Sequence, residues 1–187
     1  TLNMAKIVGK TGKVFAFEPE ITNFEILKKN IKLNNYTNIF AEHKAVGEKD
    51  GIATLYRSNH PGMHKIDSEP QHSKDKLNVD IINLDNFFNK NHIQPKIDFI
   101  KIDVEGFELS VLKGMKNILK NNKNIKILLE LYHNKLHEED LEYNSKYEEL
   151  LDFLESFNFK KFCIDEENNK LIQVSDKKKI IELCASH

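Results

Sequence analysis

The chain has 187 residues, 40% of them hydrophobic and 30% charged, a composition that suits one globular domain with a sizeable core. Lys plus Arg number 28 against 29 Asp plus Glu, and this balance leaves no electrostatic footprint for nucleic acid. No apolar run approaches the roughly 20 residues of a membrane helix, and Cys163 and Cys184 form neither a disulfide framework nor a metal-ligand spacing.

Residues 1–12 read as the end of a helix, with Leu2, Ala5 and Ile7 apolar and Gly9 and Gly12 bracketing a turn. Lys13 to Phe17 is a short β run that stops at Glu18-Pro19. From Glu20 the apolar spacing turns helical, with Phe24, Leu27 and Ile31 on one face, and Asn34-Asn35 closes the helix. Thr37 to Glu42 is a strand candidate, Gly47 to Asp50 is turn chemistry, and Ile52 to Tyr56 returns as a strand. Arg57 to Lys76, rich in His, Ser and Pro, is predicted to be a long loop. Leu77 to Ile82 reads as a strand and Leu84 to Asn91 as a short helix.

Ile97 to Gly114 reads IDFIKIDVEGFELSVLKG. The first six residues predict a buried strand, and Phe107 to Lys120 a helix with a break at Gly114. Ile125 to Leu131 is the next strand. His137 to Ser156 carries Tyr147, Leu150, Leu151 and Leu154 at helical spacing. Phe159 to Ile164 and Lys170 to Val174 predict a hairpin, and Asp176 to Ala185 a final helix. Alternating strands and helices imply an α/β fold, a mainly parallel sheet with helices on both faces, closed by an antiparallel hairpin. No linker divides the chain, so residues 1–187 are expected to form a single domain.

The chemistry-bearing residues cluster at strand ends, where open α/β sheets bind ligands. Glu18 ends its strand, where a carboxylate can accept from both hydroxyls of a ribose. It can equally be a helix-opening acid favoured by the helix dipole. Asp103 and Glu105 end the central strand, with Asp103 on the face shared by Lys101. An acid at this rim can bind a sulfonium or ammonium group, orient a hydroxyl or act as a base, while Glu105 can instead serve the following helix. Glu130 and His133 flank the end of the next strand, a pairing that suits acid–base work or a solvated loop. His60 and His64 have loose metal spacing without a firm ligand set beside them, so no metal is expected. Phe87-Phe88 reads as core. Arg57 is the single Arg of the chain, so bidentate recognition of anions is scarce.

FEPEITNFEILKKNIKLNN, AVGEKDGIATLY and FIKIDVEGFELSVLKGMKNIL together resemble the FkbM family of methyltransferases. The D-x-E-G-x-E-x-x-V-L-x-G pattern from Asp103 to Gly114 is the most specific part, and the resemblance runs from the first residue to about His133. It implies a class I, Rossmann-like methyltransferase using S-adenosylmethionine to methylate oxygen, often a hydroxyl of a sugar or small metabolite. By that resemblance Glu18 would hold the ribose, Lys44 and Ala45 would lie near the adenine, and Asp103 would border the methionine end and the acceptor. Asp103 would position the acceptor, and Glu105 or His133 would take its proton. The family's first strand and glycine-rich turn are expected before Thr1 and are missing, so the chain is expected to be an N-terminally truncated piece of a longer product.

The expected partners are a small-molecule or glycan acceptor, with neither nucleic acid nor membrane. The expected compartment is a reducing cytoplasm; no signal peptide is visible, though the cut start leaves room for a lost leader. Two other readings stand beside this one. A nicotinamide-dependent oxidoreductase would share Glu18, and a degenerate fold of this type would serve as a non-catalytic binding module.

Overall fold

A computed structural model describes residues 1–58, 64–66, 75–93, 96–131, 141–165, 167–176 and 180. The chain is α/β and divides into two compact units, Thr1–Pro95 with Ser110–Met115, and Lys96–Leu109 with Lys116–His187.

In the first unit, helix α1 (Leu2–Val8) leads to strand β1 (Val14–Phe17), helix α2 (Ile21–Leu33) and strand β2 (Ile39–Glu42). β1 and β2 pair in parallel, Val14 opposite Ile39 and Phe17 opposite Glu42. The Asn38 amide ties this start together by donating to the carbonyls of Ala5, Gly9 and Gly12. Phe15 stacks on Phe40 and meets Phe88 edge-on. The buried Phe88 is therefore core, as its sequence neighbourhood predicts. Along α2 the expected face of Phe24, Leu27 and Ile31 is half-buried, while Ile26 and Leu33 are exposed.

The second sheet of this unit contains β3 (Ala45–Val46), β4 (Gly51–Arg57), β5 (Lys65–Ile66) and β6 (Asp75–Ile82), ordered β3-β6-β4-β5. β4 and β6 are antiparallel from Gly51 opposite Ile81 to Arg57 opposite Asp75. Ala45, Ala53, Leu55 and Val79 form its core. Two features correct the sequence reading. The expected loop from Arg57 to Lys76 contains β5, and β6 begins at Asp75 rather than Leu77. The reason is cross-strand: Asp75 pairs with Arg57 on the neighbouring strand, so a polar residue extends a strand that its local sequence does not announce. Helix α3 (Leu84–Lys90) follows, capped by the Asn83 side chain accepting from the Asn86 amide.

In the second unit, β7 (Phe99–Ile102) and β8 (Lys126–Leu129) pair in parallel, Phe99 opposite Lys126 and Ile102 opposite Leu129. Between them in sequence come α4 (Glu108–Lys113), which belongs to the first unit from Ser110 onward, and α5 (Lys116–Asn121), separated at Gly114 as the sequence predicts. Helix α6 (Leu141–Ser156) buries Tyr147, Leu150, Leu151 and Leu154, the stripe expected from their spacing. Each such side chain contributes up to about 1.5–3 kcal/mol by leaving water. Strands β9 (Phe162–Asp165) and β10 (Lys170–Gln173) form the expected antiparallel hairpin. Of the expected last helix only Ile180, helical and buried, is among the described residues.

The parallel pairing and the closing hairpin match the expected architecture. Among the described residues the strands pair in four groups, three of two strands and one of four.

Candidate active site

β1 delivers Glu18 to the carboxyl end of a parallel pair, and the Glu18 amide continues that ladder by donating to the Glu42 carbonyl at 3.1 Å. Pro19 and Glu20 then turn the chain into α2. Glu20, in extended conformation, is the N-cap: its Oε2 accepts from the Asn23 amide at 2.8 Å. The sequence left open whether Glu18 binds a ligand or opens the helix, and the geometry gives the capping work to Glu20. The Glu20 amide donates to Glu18 Oε1 at 2.9 Å. Among the described residues no hydrogen-bond partner meets Glu18 Oε2. Burial raises the Glu18 pKa above the usual carboxylate value, partly offset by the Glu20 amide.

Glu20 is only 1% exposed, and its Oε1 accepts from the Thr22 hydroxyl and pairs with Arg57 Nη2 at 3.5 Å. Arg57 reaches Asp75 with its other nitrogen, Nη1, at 3.3 Å. Nearby, Ser58 N–H donates to His64 Nδ1 at 3.1 Å, which requires that nitrogen to be unprotonated. Burial accordingly lowers the His64 pKa, and the Arg57 charge lowers it further against the opposing pull of Glu20 and Asp75. His43 stacks on Phe24 and donates from Nε2 to the Pro19 carbonyl at 3.0 Å. Sequence reasoning missed Glu20 and the role of Arg57; the signals were an acid directly before a helix and the chain's one guanidinium.

On the same unit, Lys44 pairs with Asp80 at 3.3 Å. Ala45 is 2% exposed and packs in the sheet core. Lys44, Glu42, Asp80, Phe87, Lys90 and Asp50 line an open cleft of about 470 Å³. Asp50 is held below its usual pKa by the Asn83 amide and then by Lys90, which it meets at 2.9 Å.

The second unit carries the other predicted acids. Asp103 follows β7 and Glu130 follows β8, whose amide donates to the Ile102 carbonyl at 3.0 Å. Lys101 Nζ meets Asp103 Oδ2 at 2.8 Å and Glu130 Oε2 at 3.2 Å. Its pKa is raised, first by the Asp103 bond. Asp103 and Lys101 thus share a face, as alternation along a strand requires. Glu105 and Gly106 take positive φ, 52° and 97°, and swing the chain from the strand into α4. The Gly106 amide donates to Glu108 Oε1 at 2.9 Å, and Glu108 is 3% exposed. Glu108 is therefore a buried acid bound to the turn, a role the quoted pattern contained but the sequence reading did not assign. His133 and His60 lie outside the described residues. Among the described residues no cluster of three or more His, Cys, Asp or Glu could hold a metal, and no helix is long and apolar enough to cross a membrane.

A family model described as Methyltransferase FkbM domain matches residues 1–161. "Methyltransferase 1" of Beauveria bassiana (strain ARSEF 2860) is 26% identical over 120 residues, covering 54% of this chain and 48% of that protein. The hexuronic acid methyltransferase AglP of Haloferax volcanii is 31% identical over 120 residues, covering 63% of this chain and 47% of that protein. The chain spans about half the length of these curated relatives. The crystal structure of Methyltransferase FkbM from Methylobacillus flagellatus KT matches with a TM-score of 0.56 at 20% identity, over 86% of this chain and 36% of that one. That likeness is one of fold.

Proposed function

We propose that this chain, which belongs to the FkbM methyltransferase domain family, uses S-adenosylmethionine to methylate an oxygen of a sugar or small metabolite. Family membership favours this over the nicotinamide-dependent reading that Glu18 alone left open. In this reading residues 1–187 are one Rossmann-like domain, and the parallel strand pairs are those of that fold.

The observation that carries the proposal is Glu18. One carboxylate oxygen is pinned by the Glu20 amide at 2.9 Å, while Oε2 has no hydrogen-bond partner among the described residues. An oriented acceptor at the end of a parallel strand fits the paired hydroxyls of a ribose. Lys44 stands on the adenine side. S-adenosylmethionine supplies a methyl group already activated by its sulfonium, so the protein's contribution is chiefly proximity and orientation. Asp103, braced by Lys101, orients the acceptor hydroxyl, and Glu105 or His133 takes its proton. The uronic-acid relative makes a glycan acceptor the first to try. The acceptor would be met in the cytoplasm, without nucleic acid or membrane as partner.

The test is transfer of a tritiated methyl group from S-adenosylmethionine to hexuronic-acid glycosides, comparing the wild type with Asp103→Asn. The proposal expects transfer by the wild type and a loss of about a hundredfold or more in the variant. No transfer to any sugar or metabolite hydroxyl, with S-adenosylhomocysteine still bound, would favour the binding-module reading. Equal rates would remove Asp103 from the mechanism.

A further inference from the structure

The chain's one arginine is spent on a buried acid rather than on the surface. Glu20 is almost wholly enclosed, and an enclosed carboxylate is tolerated only when paired and hydrogen-bonded. Two of its partners, Thr22 and Asn23, belong to the first turn of α2 and move with it. Arg57 comes from the end of β4, far along the chain, and is the one ion-pair partner of Glu20 among the described residues. Arg57 is itself fixed from the other side by Asp75, directly opposite on β6. A planar fork can serve two carboxylates in different directions, which an ammonium point charge does poorly.

Glu20 in turn carries the amide that pins Glu18 Oε1. A continuous chain of contacts therefore runs from Asp75 through Arg57 and Glu20 to Glu18. We propose that Arg57 is a positioning residue for cofactor binding: by neutralising Glu20 it fixes the Glu18-Pro19-Glu20 turn and so aims the Glu18 carboxylate at the ribose hydroxyls. The inference rests on the proposed role of Glu18 and extends it to a residue that does not touch the ligand. Without the guanidinium, Glu20 is driven to seek water, and its backbone amide moves away from Glu18.

The experiment is calorimetric binding of S-adenosylhomocysteine and its 2′-deoxy analogue to wild type, Glu18→Gln and Arg57→Met. General loosening of the fold weakens both ligands alike, whereas misaiming Glu18 removes the preference for the ribose form. The wild type is expected to prefer the ribose ligand by about tenfold or more, the scale of one hydrogen bond to a charged group, and both variants to lose most of that preference. Arg57→Lys should recover only part of it. Should Arg57→Met fail to fold, Glu20→Gln/Arg57→Met removes the buried charge together with its partner and should recover most of the ribose preference. A wild-type ratio in Arg57→Met, or a double variant as flat as Glu18→Gln, would overturn the inference and leave the role of Glu18 intact. A wild type without ribose preference would overturn both.

Discussion

Replacing Gly114 by alanine tests how the end of the D-x-E-G-x-E-x-x-V-L-x-G pattern is packed. The backbone at Gly114 needs no left-handed conformation; the constraint is space. A Cβ there would stand 2.0 Å from the Gly47 carbonyl oxygen and 2.9 Å from its carbon, well inside contact distance. Neither side yields freely. The Gly47 amide is bonded to the Ile82 carbonyl at 2.9 Å, and the Gly114 carbonyl accepts from the Asp85 amide at 3.1 Å. Ser110 Oγ also accepts from the Glu48 amide at 3.1 Å. Opening the contact strains these bonds at a combined cost of about 1 kcal/mol, on top of an overpacking cost of about 1–3 kcal/mol. A total of about 2–4 kcal/mol corresponds to a fall in melting temperature of about 4–16 °C for a chain of this size. Thermal unfolding followed by circular dichroism measures it. Gly51→Ala is the control, since a Cβ there meets nothing within 4 Å, and it should stay within about 0.5 kcal/mol of wild type. If Gly114→Ala melts with the control, the close approach is not a constraint and the reasoning is wrong.

Two further expectations concern pH. Burial raises the Glu18 pKa above 4.5, so the native state holds a proton that the unfolded chain releases, and stability falls as pH rises through that window. Glu18→Gln should therefore melt above wild type at about pH 7 and level with it at about pH 3; an equal difference at both would contradict the linkage. Asp50 has the opposite sign: its folded pKa is depressed below 3.8, so its contribution is present above that value and lost as pH falls through the folded pKa. Asp50→Ala should cost about 1 kcal/mol at neutral pH, a deficit that shrinks on acidification. A deficit persisting below the folded pKa would show that the carboxylate charge is not its source.

Much of the fold was legible because its signals are local. β1, β2 and β4 announce themselves by apolar runs between turn residues, and the stripe of Tyr147, Leu150, Leu151 and Leu154 fixes the buried face of α6. The break at Gly114 was readable from the glycine. What escaped depends on distant partners. β3 and β5 are two residues long and carry no periodicity, and Asp75 enters a strand only because Arg57 lies opposite. The site divides the same way. Asp103 and Glu18 were visible as acids at strand ends, and Lys101 as a neighbour of Asp103 by alternation. The pairing of Lys101 with Glu130 required knowing that β7 and β8 are adjacent. The burial of Glu20 against Arg57 required the long-range contact itself, and only coordinates could show that Glu20, not Glu18, caps the helix.

The central claim is that Glu18 grips the ribose of S-adenosylmethionine. A crystal structure of the protein with S-adenosylhomocysteine tests it most directly. The account predicts both ribose hydroxyls facing the Glu18 carboxylate, with at least one about 2.5–3.0 Å from Oε2 and Oε1 still held by the Glu20 amide. A ligand bound with its ribose away from Glu18 would contradict it.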